Sequence, residues 1–433
     1  MARLGRESTE PAQVISAANR PLRQIVAQHA EDLVMLSNSR QILARSGHVE
    51  LRRLARTDKR IAAHEDGCVV AGAEGFQMLL ERLADPNPSA LFAATLVALT
   101  SRNVEGLEHC LAVAGAVPEC AGAVTAALGW VERDRLAGVV KQLLTSSSPN
   151  RRRLGLAACR VHGADPGPML HDSIRDPDPG IRAEAFRTIG TLGHRQLVST
   201  IAAARDGHPA VQFWATWSAV MLGDRERALD ALARIGLGDG PYQSRAFRLV
   251  LQASTPAAGK AAVQTISGNP AEIRRTILGI GIIGDPAQVS WLIKHMADDA
   301  IARAAGEAFS LITGTDLALL DLERKPPDHI ETGPNDEPGD PNVAMDTDDG
   351  LPWPDAALCQ RWWDANASRF QPGGRYFCGA PVTRPHCMHV LKNGYQRQRI
   401  LAAHYLCLLE PGTPLFNTSA PAWRQERLLA TMG

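Results

Sequence analysis

The chain has 433 residues, 45% hydrophobic and 21% charged, with Lys plus Arg and Asp plus Glu each at 46. That length gives a soft expectation of two or three domains, and zero net charge provides no overall field favouring nucleic acid or an anionic membrane. The longest uncharged run, 207–223, has 17 residues and contains Pro209 and Gln212, whereas a membrane span needs about 20 apolar residues.

Residues 1–20 are polar and expected to fray. Arg3, Arg6, Glu7 and Glu10 precede any apolar run, so the start does not read as a signal peptide. Helical patterns follow at 21–37, 49–66 and 74–84. In the middle one, Leu51, Leu54, Ile61 and His64 share a stripe. Residues 1–84 are therefore read as an N-terminal helical cap. Eight cysteines are scattered with no CxxC pair, and Cys68, Cys110, Cys120 and Cys159 sit in apolar helical stretches. They read as buried thiols of a reducing, cytoplasmic compartment.

The stretch from Asp176 to Gly193, DPDPGIRAEAFRTIGTLG, defines the next 230 or so residues. Asp178 is a helix cap and Pro179 suits the first turn. Ile181, Ala185, Ile189 and Leu192 fall on one helical face, and Gly193 supplies the left-handed stop. A shorter helix follows with Leu197, Ile201 and Ala204, and Asp206-Gly207 turns the chain. Prolines at 88, 118, 149, 179, 209, 241 and 270 recur at spacings of 29 to 32. Glycines at 163, 193, 223, 284 and 314 form a second register, and the last step implies an eighth unit starting at Ala300. One hairpin of this size cannot bury its own apolar face, so stacking must complete the core. Residues 85–320 are predicted to be an all-α solenoid of about eight helical hairpins, with the second helix of each unit on the concave side.

Residues 321–350 read as a disordered linker. They hold five prolines (326, 327, 334, 338, 341), and 326–350 carries eight acids and no Lys or Arg. The rest of the chain therefore has eight more basic than acidic residues, weak support for an anionic partner. Residues 351–433 hold four of the eight tryptophans and three of the four tyrosines. They are predicted to form a small separate helical domain, with helices at 355–368, 384–393, 394–409 and 421–431. RYFCGAPVT (375–383) is a turn or short strand.

No catalytic constellation emerges. Gly279, Gly281 and Gly284 spell a dinucleotide fingerprint, but the preceding residues are helical and Gly284 is a repeat terminator. Cys378, His386, Cys387 and His389 lack the paired short spacings of structural zinc. One His64-Glu65 pair cannot enclose the di-iron site of helical-repeat hydroxylases. Arg151, Arg152, Arg153, Arg182, Arg187, Arg274, Arg275 and Arg303 lie in the first helices, where Arg is also the ordinary solvated-face residue. Arg397 and Arg399 point about 200° apart on a helix and serve different surfaces.

The Asp-Pro…Ile-Arg…Ala…Leu-Gly pattern resembles short HEAT-like repeats. The segments 52–75, ITGTDL (312–317), LPWPD (351–355), RYFCGAPVT, GYQRQRILAA (394–403) and PLFNTSAPAWRQ (414–425) together resemble an uncharacterised proteobacterial HEAT-repeat family. Some of its members are encoded near type VI secretion genes. The resemblance implies an accessory or adaptor role and brings no catalytic residues. The expected function is a protein-interaction scaffold, with no cofactor, metal or membrane contact. Candidate partner-binding residues are Trp362, Trp363, Arg397, Arg399, Arg182 and Arg274. Alternatives are a helical-repeat nucleic-acid-binding or repair protein, which the neutral charge disfavours, and a helical-repeat lyase or hydroxylase.

Overall fold

The computed structural model describes residues 22–203, 206–328, 339 and 346–432. The expected frayed start and the centre of the acidic stretch lie outside them. Three helices open the chain: α1 (Arg23–Leu43), α2 (Leu51–Val70) and α3 (Ala73–Glu81). Eight units follow. Units one to four are α4 (Pro88–Thr100) with α5 (Val104–Ala116), α6 (Ala121–Trp130) with α7 (Val139–Leu144), α8 (Pro149–Val161) with α9 (Pro168–Ser173), and α10 (Pro179–Leu192) with α11 (Val198–Ala203). Units five to seven are α12 (Pro209–Met221) with α13 (Arg227–Leu237), α14 (Gln243–Ala253) with α15 (Pro256–Ser267), and α16 (Ile273–Ile283) with α17 (Val289–His295). Unit eight begins with α18 (Ala302–Thr313). The remainder forms α19 (Ala356–Asn366), the two-residue strands β1 (Tyr376–Phe377) and β2 (Ala380–Pro381), α20 (Arg384–Asn393), α21 (Gln396–Leu409) and α22 (Ala422–Thr431).

The punctuation works as the residues dictate. The Asn87 side chain accepts from the amides of Ser89 and Ala90, and Asp178 accepts from Ile181. These bonds satisfy donors that a helix start otherwise leaves open. Pro118 and Pro270 each open a 3-10 turn just ahead of the helix proper. Gly163, Gly193, Gly223, Gly284 and Gly314 all have positive φ. The protein is an all-α helical-repeat solenoid with a small C-terminal helical region.

The first helices form the inner layer, not the second helices as the sequence suggested. Neighbouring first helices pack directly on one another, while second helices meet each other little. On the inside of a curved stack neighbours are closer, and small residues permit it. A Cβ at Gly190 on α10 would strike Ser218 on α12, and one at Gly281 on α16 would strike Ala308 on α18. The outer helices, several only six residues long, splay.

The curvature is strong enough to bring the two ends of the array together. Seven steps of roughly 9 Å would separate units one and eight by about 60 Å in a straight stack. A helix of α1's length, 21 residues, spans only about 30 Å. Yet α1 packs on α4, while the loop after it reaches unit eight. Gly47 sits against Leu351 and Glu307, and the His48 ring lies 4.3 Å from that of Tyr395. The Gln396 amide donates to the Val49 carbonyl at 2.9 Å. One hairpin touches both ends only because the array bends into a nearly closed arc.

The C-terminal segment does not stand apart or dock on the end of the array. Its first helix, α19, supplies the missing outer helix of unit eight. It packs against α17 and buries Cys359 and Trp363 with Ile301 and Phe309. The chain then returns along the arc as a strap over the C-terminal ends of the first helices, where the last carbonyls lack helical partners. The amides of Tyr376, Cys378 and Gly379 donate to Gly284, Leu311 and Ile312, and that of Leu415 donates to Thr191. Arg375 donates to the carbonyls of Leu251, Gln252 and Ser254; Arg424 donates to those of Gly129, Trp130 and Val131. A guanidinium at a helix C-terminus is favoured by the helix dipole as well. Finally, Arg40 on α1 donates to Asp58 and to the carbonyls of Ser419 and Ala420, and Asp58 accepts from the Ala422 amide. The strap runs from unit eight back to the N-terminal helices.

Candidate partner-binding face

The sequence-predicted residues are placed mainly in internal contacts. Arg182 donates to Asp206 at 2.7 Å and to the carbonyls of Asp176 and Pro177. Arg152, thirty residues earlier, does the same with Asp176 and the carbonyls of Ser146 and Ser147. In units seven and eight this ladder of arginines is completed from outside the array. Arg274 pairs with Asp348 at 2.6 Å, and Arg303 pairs with Asp346. The described flanks of the acidic stretch, 321–328 and 346–350, are thus tied down. Arg324 also pairs with Asp299 and lies 5.3 Å from the Trp353 ring.

Arg399 is fully buried, a correction to its expected role as a partner contact. Its guanidinium donates to the Leu391 carbonyl, Gln396 and Gln425, all neutral acceptors, and burial pushes its pKa down to about 10. It holds the turn between α20 and α21 to α22. Trp363 is buried and Trp362 partly so, with its ring edge on Phe309 at 5.7 Å. Both are packing residues of the last unit. Arg397 joins the ends of the arc through Glu307 at 2.7 Å and the carbonyls of Arg45 and Thr347.

The fingerprint glycines Gly279 and Gly281 lie inside α16, and Gly284 is its left-handed terminator. The His386 Nε2 is 2.6 Å from the Phe377 carbonyl oxygen. Among the described residues no group of three or more His, Cys, Asp or Glu is arranged to hold a metal ion. No helix among them is long and apolar enough to cross a membrane.

A different set of side chains shares the inner wall. Arg160 on α8 donates to Glu184 on α10 at 2.6 Å. Arg187, one turn further along α10, approaches the same carboxylate at 3.8 Å and lies 4.4 Å above the Trp214 ring of α12. Trp214 meets Trp217 edge-on, and Trp217 faces His404 of α21. His404 Nδ1 is 3.0 Å from the Gln252 Oε1 of α14. Arg245 and Arg248, one turn apart on α14, are solvent-exposed.

The electrostatics of this wall are those of a concavity. Protein surrounds Arg187 on the inside of the arc and pushes its pKa down to about 10, helped by Arg160 and against Glu184. Desolvation likewise lowers Arg248, with Arg397 and Arg245 adding to it and Glu307 opposing. Exposure and desolvation coexist there because water reaches a guanidinium in a concave wall from one side only. His404 is pushed down to about 3 by burial and by Arg248, so it is neutral at physiological pH. The wall is therefore arginine-rich, aromatic and under-neutralised. Arg160, Arg245, Arg248, Trp214 and His404 were not singled out in the sequence, because nothing in the pattern says which arginines and aromatics meet across neighbouring helices.

Residues 167–252, from α9 to the end of α14, match the family model described as HEAT repeats. No curated protein and no solved structure matches the chain. The matched units are the ones that carry Glu184, Arg187, Trp214, Arg245 and Arg248.

Proposed function

We propose that this HEAT-repeat chain is a non-catalytic protein-interaction scaffold or adaptor whose binding face is the inner wall of the arc. The observation that carries this reading is the contrast between the rim and the wall. The rim at the helix C-termini is sealed by the chain's own strap, whereas the wall keeps exposed Arg245 and Arg248, and Arg245 acts electrostatically on Arg187, which lies over the Trp214 ring. Trp and Arg are enriched at binding hot spots, Trp because a rigid ring buries much area at little entropic cost and Arg because its planar fork pairs with carboxylates. Solenoids commonly bind extended partners along their concave side. The resemblance to a family encoded near type VI secretion genes makes an accessory of that system the first setting to examine, with a cytoplasmic location.

The test is a photo-crosslinker placed at Arg245 and, separately, on the outer helix α15 at Lys260, in chain expressed in its native host. A discrete protein adduct from position 245 alone is the expected result. Adducts from Lys260 alone, or no protein adduct from either, would sink the reading. Nucleic-acid adducts at 245 would favour the repair-protein alternative.

A further inference from the structure

The arginines of the inner wall differ in how well they are neutralised. Arg160 is held by Glu184, and Arg397 by Glu307. Arg187 shares the Glu184 carboxylate at a looser distance. Arg245 and Arg248 make no hydrogen bond or ion pair to a described residue, and the opposite charge acting on Arg248 is a Glu307 already engaged by Arg397. Two exposed guanidinium groups one turn apart repel each other by a few tenths of a kcal/mol. They pay no such penalty once an anion lies between them.

Resting on the scaffold reading above, we infer that the wall between units four and six docks a short acidic segment of a protein partner, its carboxylates set against Arg187, Arg245 and Arg248. The planar fork of each guanidinium matches a carboxylate in bidentate fashion. Trp214 and the ring of Tyr242, which stacks on Phe213 at 4.4 Å, give the segment's apolar parts a surface beside the charges. A phosphodiester backbone suits the site less well. It carries a charge at every link and needs a continuous basic track, but Glu184 and Glu307 interrupt the wall. Further along, α21 packs against α12 and α14, and the 44–50 loop lies at unit eight.

Full-length chain is titrated with a fluorescein-labelled Asp/Glu-rich dodecapeptide, its Asn/Gln counterpart, and a labelled dT12 oligonucleotide. The acidic peptide is expected to bind, the amide peptide not, and the affinity is expected to fall with salt as surface charges are screened. Arg245→Glu/Arg248→Glu should weaken peptide binding at least tenfold, by roughly 1.4 kcal/mol, and Arg245→Lys/Arg248→Lys should recover part of it. Arg182→Glu, on the rim, should leave peptide binding unchanged. Equal binding of both peptides, an unaffected double-Glu variant with wild-type melting, or tighter binding of the oligonucleotide would overturn the inference. Native-host crosslinking separates the two claims. A partner still captured by the double-Glu chain would overturn the acidic-segment inference alone, and no captured protein from the wild-type chain would overturn the scaffold.

Discussion

Two sets of arginines, one on the rim at the helix starts and one on the inner wall, obey different rules. Arg152 and Arg182 are thirty residues apart, and each finds an aspartate 24 residues ahead together with the carbonyls of its own loop. The repeat imposes them, and each repeat supplies their counter-charge. Arg245 and Arg248 lack ion-pair partners among the described residues, although Arg245 lies 29 residues before Arg274 just as Arg274 lies 29 before Arg303. In this array an arginine that meets an aspartate serves the stack, and one left without a counter-charge is available for something else. The ladder's last rungs make the same point, because Asp346 and Asp348 come from outside the array to neutralise Arg303 and Arg274.

The comparison can be broken most forcefully at the core beneath both sets. Ile189 is fully buried between units. Ile189→Asp places an unpaired carboxylate there at a cost of several kcal/mol. Melting and protease resistance should collapse across the whole clasped array, with the wall arginines lost alongside the ladder. A variant with wild-type melting would mean the packing has been misread.

Next comes a carboxyl that the fold buries without an ion pair among the described residues. Glu65 is 8% exposed, accepts from Thr100 at 2.5 Å, and is pushed up to about 7, chiefly by desolvation. A carboxyl raised in the folded state binds its proton more tightly there than when unfolded. Its stabilising contribution is complete below about pH 4.5 and is lost as pH rises through about 7. Glu65→Gln should therefore raise stability at pH 8 by up to roughly 3 kcal/mol and change little at pH 4. Equal effects at both pH values in thermal melts would contradict this.

A smaller effect separates the strap from the repeat. Gly163 and Gly284 both adopt positive φ, but a Cβ at Gly163 meets nothing, whereas one at Gly284 falls on the Tyr376 carbonyl. Gly163→Ala should cost about 1 kcal/mol for the left-handed backbone. Gly284→Ala should cost at least about 1 kcal/mol more, as the strap shifts to avoid overpacking. Equal denaturant midpoints for the two would remove the strap from the account.

The smallest effect addresses the arginines themselves. Arg182→Ala should lose about 1 kcal/mol or less, the scale of a partly exposed pair, while Arg248→Ala should leave stability within about 0.5 kcal/mol of wild type. If Arg248→Ala proves the more destabilising in urea titrations, the division between structural and spare arginines fails.

Much of this architecture was legible because the repeat writes it twice. Asp178, Pro179, Ile181 and Gly193 each mark a backbone need that recurs every thirty residues, and the helices of residues 351–433 were placed within a few residues of their observed bounds. The concave side was not legible. It depends on how close neighbouring helices come, which Gly190 and Gly281 permit but no hydrophobic period records. The strap was equally invisible, since its bonds run from arginines and amides to backbone carbonyls, whose positions carry no side-chain signature. Arg399 read as a surface residue because nothing in its neighbours announces three neutral acceptors. Trp362 and Trp363 looked surplus until α19 took its place in unit eight.

The strap changes how such a molecule comes apart and comes together. A simple solenoid behaves as a row of neighbours, so its ends can fray without disturbing its middle. Here residues 375–427 touch units two to eight and the opening helices in a single pass. Loosening one unit therefore loosens the segment that clasps the others, and melting should proceed as one event and not as a travelling boundary. During synthesis the order is reversed. Every unit of the arc leaves the ribosome before the segment that clasps it, so the nascent array waits with its helix ends uncapped, a spring without its clasp.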